Sequence, residues 1–397
     1  MSTTRRPLGF TLVEMLVALA VSALAAIGIY SAFSSTGHVL TEVKSQDNAW
    51  QQGRSALTAI TQAVESAGYG LPMTLCGSIV SANPTGGTFS LAPVTVTAPQ
   101  PAALATYDPA SSPINAGVTT DELTTVTGSG YFGSAPTTHI VSPPGASTTA
   151  STVTVNNPSL LAPNDMFLVA LPNGSCLLGQ ITNIGGHANV GFTHGGSAYN
   201  LPQGFAALDP AVTSNQLQGA GFVDLGSGFT IDQFFISYRA PGGNTPQNPN
   251  SVPSLYMLQY TPAAGLPGNP APVPELVARG VVDMQVELGY GSGGSVAFFA
   301  PPNGSPPPGA NGALMTPANV LAVKVALLVR STRTTPGAGT VAGGRIALMG
   351  GAAPAFYVVP QALPANNTTG CLLGDCSHYT YHVFKTVIPV RNVIWGQ

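Results

Sequence analysis

The sequence predicts an α+β chain: one long N-terminal helix followed by a large, loop-rich antiparallel β head. Three features carry that expectation. An apolar run over residues 10–33 holds a single acid, a helical apolar stripe continues to residue 67, and β-branched and aromatic segments punctuated by Gly, Pro and Asn fill the remainder. With 47 Gly and 36 Pro in 397 residues, about a fifth of the chain, the composition stays below the roughly 25–30% of low-complexity disorder. Charged residues make up only 7% and the mean hydropathy is +0.26, so the chain is not a charge-rich disordered polymer. The 330 or so residues beyond the helix suffice for a buried core.

The helix begins as a membrane segment. Arg5 and Arg6 precede the apolar run and the next basic residue is Lys44, so the start of the chain is expected to stay cytoplasmic and the bulk to be exported. At about 1.5 Å rise per residue, the 10–33 segment spans a hydrocarbon core of about 30 Å. A secretory signal would place its small-residue cleavage site after the apolar run, whereas Gly9 lies before it. Glu14 is the one charge in the run, and a charge at bilayer depth costs about 2.5–3.5 kcal/mol on insertion scales, which argues for a partner. The competing reading is a stray acid near the cytoplasmic end, where snorkelling lowers that cost.

Beyond the membrane Val39, Val43, Trp50, Leu57, Ile60 and Val64 form one apolar stripe, with Glu42, Lys44, Asp47, Gln51, Arg54 and Gln62 largely elsewhere. Gly68 and Gly70, with Pro72 just after, set the stop near Ala67. One half of this stem is expected to hold the head and the other half to meet neighbouring stems.

In the head, strands are expected over residues 88–91, 94–98, 122–127, 152–155, 166–171, 229–238, 254–260, 281–290, 320–329, 355–359 and 379–390. Val282, Met284, Val286 and Leu288 alternate with Asp283, Gln285 and Glu287 as in a half-buried strand, and 320–329 is almost continuously apolar, as in a strand covered on both sides. Pro389 places the last strand at a sheet edge. A composition shift near residues 200–220 divides the head into a Thr/Pro/Gly-rich portion, 68–220, and a C-terminal portion, 221–397.

The residues Gly9-Phe10-Thr11-Leu12-Val13-Glu14, with basic residues before and about 20 apolar residues after, resemble the type IV prepilin processing site. The resemblance implies a leader over residues 1–9, cleavage between Gly9 and Phe10 by prepilin peptidase, N-methylation of Phe10, and a Glu14 that pairs with such an amine in a filament. Burying one carboxylate beside one ammonium removes two unpaired charges together, which supports that pairing. The stem end, 56–70, resembles PilW-like minor pilins. So do Asp121-Glu122-Leu123-Thr124-Thr125-Val126, the segment 275–290, Val323-Lys324-Val325 through Ser331, and Phe384 to Asn392. This implies a pilin-like fold and a minor pilin that joins a tip or priming complex of a type IV pilus. Its implied partners are other minor pilins, the major pilin and the inner-membrane assembly machinery, and its place is the inner membrane, head in the periplasm, before the extracellular pilus. Two alternatives stay open, a type II secretion pseudopilin and an adhesin whose head binds a surface ligand.

Cys76, Cys176, Cys371 and Cys376 form an even set in an exported head, so disulfides are expected. Of three connectivities, Cys76 with Cys176 and Cys371 with Cys376 is favoured. An extended 376–382 would bring Cys376, His378 and His382 to one face, but Cys371-x4-Cys376 is at the wide end of zinc-ligand spacing and the compartment is oxidising. No metal or other cofactor is expected there, nor at His187 and His194, read as a solvated glycine loop. Walker, H-E-x-x-H and G-x-S-x-G motifs are missing, and no carboxylate pair stands out as an acid/base set, so no enzyme activity is expected. Fifteen acids against 12 bases leave no basic footprint for nucleic acid.

Overall fold

A computed structural model of the chain describes residues 11–71, 76, 78–82, 88–97, 120–128, 138–142, 151–171, 174–202, 217–237, 252–269, 272–292, 295–299, 320–331, 345–349, 356–358 and 379–391. The chain divides into two compact units, 1–48 and 49–397. A single helix, α1 (Leu12–Ser66), contributes to both. In the second unit the described residues form twenty strands. The first ten are β1 (Ser78–Ala82), β2 (Thr88–Leu91), β3 (Val94–Thr97), β4 (Glu122–Thr127), β5 (Thr138–Ser142), β6 (Thr152–Val155), β7 (Met166–Ala170), β8 (Ser175–Gln180), β9 (Asn183–Gly185) and β10 (Asn189–Gly191). There follow β11 (Gly221–Gly226), β12 (Thr230–Ser237), β13 (Ser254–Tyr260), β14 (Glu275–Arg279), β15 (Val281–Ser292), β16 (Ser295–Phe299), β17 (Val320–Arg330), β18 (Arg345–Ala347), β19 (Phe356–Val358) and β20 (Tyr381–Pro389).

The α+β expectation holds, and the β part is antiparallel-rich but not one sheet. Nine strands are ordered β2-β1-β8-β7-β11-β5-β6-β10-β9, five β14-β13-β12-β4-β3, four β16-β15-β17-β20, and β18 pairs with β19. One neighbouring pair, β1 with β8, is parallel, with Ile79 opposite Cys176.

The layers follow from side-chain alternation. On β12, Phe234 and Ile236 face a core shared with α1, whereas Ile231 and Phe235 face the nine-stranded sheet. On β7, Met166 and Leu168 meet the five-stranded sheet while Phe167 and Val169 fill a further core behind it. Short apolar runs such as these are the sequence signature of strands buried on both faces. The same holds for β17, whose Val323, Val325 and Leu327 join the α1 core and whose Ala326 and Leu328 pack with Val282, Leu348, Met349 and Tyr379.

One expectation changes here and a second is refined. The segment 281–290 is not half-solvated: Asp283 and Glu287 are as buried as their apolar neighbours. A register shift between Val281 and Asp283 turns Val282 to the face away from α1, which simple alternation cannot foresee. In the glycine-rich segment 185–196 the exposed Gly185, Gly186, His194 and Gly195 fit a solvated segment, but it is ordered: β9 and β10 form a hairpin closed by a 3-10 turn, with Val190 fully buried. Pro389 does sit on an edge strand, opposite Ala322.

Candidate functional site

The candidate site is the helix. Thr11 caps its start: the Thr11 hydroxyl accepts the Glu14 amide at 3.3 Å, and the Thr11 amide and hydroxyl donate to Glu14 Oε2 at 3.0 and 3.1 Å. This is a reciprocal capping box, so Glu14 satisfies donors at the helix start besides any role between subunits. The Thr-x-x-Glu spacing ahead of an apolar run is a legible sequence signal for that local task. The Glu14 side chain is fully exposed, and among the described residues no cation reaches it. The large side chains of the first turns, among them Leu12, Met15, Leu16, Leu24, Ile27 and Phe33, are exposed as well. By length and composition α1 can cross a membrane. Gly9 and Phe10 lie outside the described residues.

The C-terminal part of α1 is embedded in the head along the Ile60 and Val64 end of the expected stripe, with Leu57 packed against the same core, and alanines widen the buried face. Ala49, Ala56, Ile60, Ala63, Val64 and Ala67 are buried, whereas Trp50 is 45% exposed, and in the first unit Val39 and Val43 are 55% and 48% exposed. Close approach of a helix to a sheet selects small side chains, which hydrophobic periodicity underweights. Gly53 shows how close: a Cβ there would lie 2.3 Å from the Phe384 ring. Trp50 packs edge-on to Phe384 at 5.0 Å and near His382 at 5.3 Å. Burial holds the His382 imidazole below its usual pKa.

The helix ends where the glycines require. Gly68 adopts φ +79°, and its amide donates to Val126 O at 2.8 Å, tying the stop to β4. The Gln52 side chain accepts the Arg279 amide at 2.8 Å, and Arg391 meets Glu65 at 3.0 Å. Both contacts bind the stem to segments far away in the chain.

Behind this docking face lies a seam that sequence reasoning did not find. The Asp121 amide donates to Met284 O at 2.8 Å and its carboxyl accepts the Val286 amide at 2.7 Å, while Thr120 Oγ1 accepts the Met284 amide at 3.2 Å. Thr120 and Asp121 thereby pair with the edge of β15 that β16 leaves uncovered and join the five- and four-stranded sheets. Burial, with the neighbouring Asp283 charge, pushes the Asp121 carboxyl up to about 8, and burial pushes Asp283 up to about 7.

Of the predicted cysteine pairs, Cys76 and Cys176 form a disulfide that closes a 100-residue separation within the core between the nine- and five-stranded sheets. Cys371, Cys376 and His378 lie outside the described residues. His194 is exposed and contacts the Asn200 carbonyl through Nδ1, which joins it to a polar network. At its centre Gln180 donates to the Asn164 and Pro262 carbonyls and accepts from Ser197 Oγ at 2.6 Å.

Two family models match the chain. Residues 4–30 match the prokaryotic N-terminal methylation motif, and residues 234–392 match type IV pilus-assembly protein W, PilW. Together they support a PilW-like type IV pilin. No curated protein and no solved structure matches the chain. The PilW match covers β13 to β20, hence all of the four-stranded sheet, and three of the quoted segments fall inside it. All nine strands of the largest sheet lie before residue 234, outside that match. The segment matched to PilW therefore carries residues that pack in the core shared with the stem, Phe384, Ile388 and Val390.

Proposed function

We propose that this chain is a minor pilin that enters a type IV pilus tip or priming complex through α1, supports pilus assembly and has no catalytic role. In this reading prepilin peptidase removes residues 1–9 after Gly9, Phe10 is N-methylated, and the helix waits in the inner membrane with the head in the periplasm. Assembly machinery in that membrane then brings it to other minor pilins and to the major pilin. The observation that carries the proposal is Glu14: an exposed carboxylate on an apolar helix, held by its own Thr11 and reached by no cation among the described residues. A free amine on a neighbouring subunit supplies the missing counterion, and in a low-dielectric bundle such a pair fixes register.

The capping box selects the test. Glu14→Gln keeps the Thr11 contacts, since Gln serves at the third helical position, but removes the charge. Mass spectrometry of membrane-extracted protein is expected to show a chain beginning at methylated Phe10 in both wild type and Glu14→Gln, with only the wild type entering filaments. A Gly9→Ala chain is expected to keep its leader. Normal incorporation of Glu14→Gln, or an extracted wild type beginning at Met1, contradicts the proposal.

A further inference from the structure

The edge of β20 is unusual for its length. It runs for nine residues, against three to five for β2, β3, β9, β14 and β16, the other strands that end the three larger sheets. Exposed edges are ordinarily kept short because their unpaired N–H and C=O groups template further pairing. The direction of those groups follows from the ladder. Val390 N donates to Leu321 O at 2.9 Å and Thr380 O accepts from Ser331 N at 2.8 Å, so even-numbered positions bond the β17 side. The odd-numbered Val383, Lys385 and Val387 then aim their backbone groups outward, where among the described residues no strand pairs with them. Pro389 belongs to the same outward set, so its missing N–H costs no bond to β17.

The side chains along this edge differ by face. Phe384 and Ile388 are buried under the stem, beside a Trp50 that stays 45% exposed and has Arg54 5.9 Å from its ring. On the opposite face Lys385 and Val387 are exposed, and β20 carries no acid. We propose that the open edge of β20 receives an extended segment of another protein, an acidic–apolar strand that lengthens the four-stranded sheet, sets a carboxylate against Lys385 and lays apolar side chains toward Trp50. Backbone pairing supplies the attachment and the lysine the selection, because a segment bringing a cation to that position is repelled. Proline at 389 ends the docking site. The inference concerns the head alone and stands apart from the role of Glu14.

The test uses the full chain in detergent micelles and a fluorescent peptide of about seven residues, Val on one face and Thr flanking a central Glu on the other, beside the same peptide with a central Lys. The Glu peptide is expected to bind at least about tenfold more tightly than the Lys peptide, and Lys385→Glu to reverse that order. Val387→Pro removes an outward N–H at a position equivalent to that of Pro389 and is expected to weaken binding by about tenfold or more with an unchanged melting temperature. Backbone amides of Val383, Lys385 and Val387 are expected to exchange freely in the chain alone and to slow with the Glu peptide. The proposal is overturned if those amides are already protected without peptide, if neither peptide binds, or if Val387→Pro binds as well as wild type. A mass that doubles with concentration in the wild type but not in Val387→Pro overturns it too, since the edge then takes a second copy. Should Val387→Pro fail to fold, Lys385→Glu and the exchange measurement decide.

Discussion

Asp121 and Asp283 are carboxyls whose burial makes the charged form the costly one. Their pKa values, pushed up to about 8 and about 7, lie well above the roughly 3.9 of an unfolded aspartate, so the folded chain binds more protons than the unfolded one between these limits. Stability contributed by such groups is fully present below pH of about 4 and is lost as pH rises through the folded values. The melting temperature is therefore expected to fall from pH 5 to pH 8, and Asp283→Asn, neutral throughout, to make that fall shallower. A flat profile in the wild type would refute the assignment. Gln180 is a second residue-scale case. Fully buried and bonded on three sides, it is expected on replacement by Leu to strand Ser197 Oγ and two carbonyls, costing about 1–3 kcal/mol in chemical denaturation. The exposed Arg391–Glu65 pair is the contrast, since Arg391→Ala is expected to cost under about 1 kcal/mol.

For the stem, the decisive property is how near it approaches β20. Gly53 has no Cβ because the Phe384 ring occupies that space, and glycine there costs the helix about 1 kcal/mol relative to alanine. Gly53→Val is thus expected to destabilise the head by about 1–3 kcal/mol, read from denaturant midpoints, as overpacking at a buried contact does. A midpoint equal to the wild type would show that the ring moves aside freely. The stop of this helix was readable from Gly68 and Gly70, and so was the two-sided burial of β17 from its nearly unbroken apolar run. The packed face of the helix was readable only in part. Ile60 and Val64 of the expected stripe are covered, but Ala49, Ala56, Ala63 and Ala67 are buried with them while Trp50 stays half-exposed, because packing distance to the sheets favours small side chains.

At the scale of the molecule, the head is a stack in which α1 meets the five- and four-stranded sheets and the five-stranded sheet meets the nine-stranded one. The Cys76–Cys176 bridge lies in the second of these interfaces and closes a separation of 100 residues. Constraining an unfolded loop of about 100 residues is worth about 4–5 kcal/mol in the chain-entropy model, so Cys76→Ser with Cys176→Ser is expected to lower unfolding free energy by that order, with reductant giving the same loss in wild type. A far smaller change in both would place the stability elsewhere. What the amino-acid order determined alone was local and strongly patterned: the charge-flanked apolar helix, the Gly-Phe junction with its Glu14, the punctuated strands and the edge position of Pro389. These depend on neighbours a few residues away, where period, charge and backbone freedom act directly. Only the tertiary structure decided how the strands divide into sheets, that β1 and β8 run parallel, that Asp121 closes the edge of β15, and which stripe of the stem is covered. Those outcomes rest on contacts between residues far apart in the chain, whose geometry no local pattern encodes.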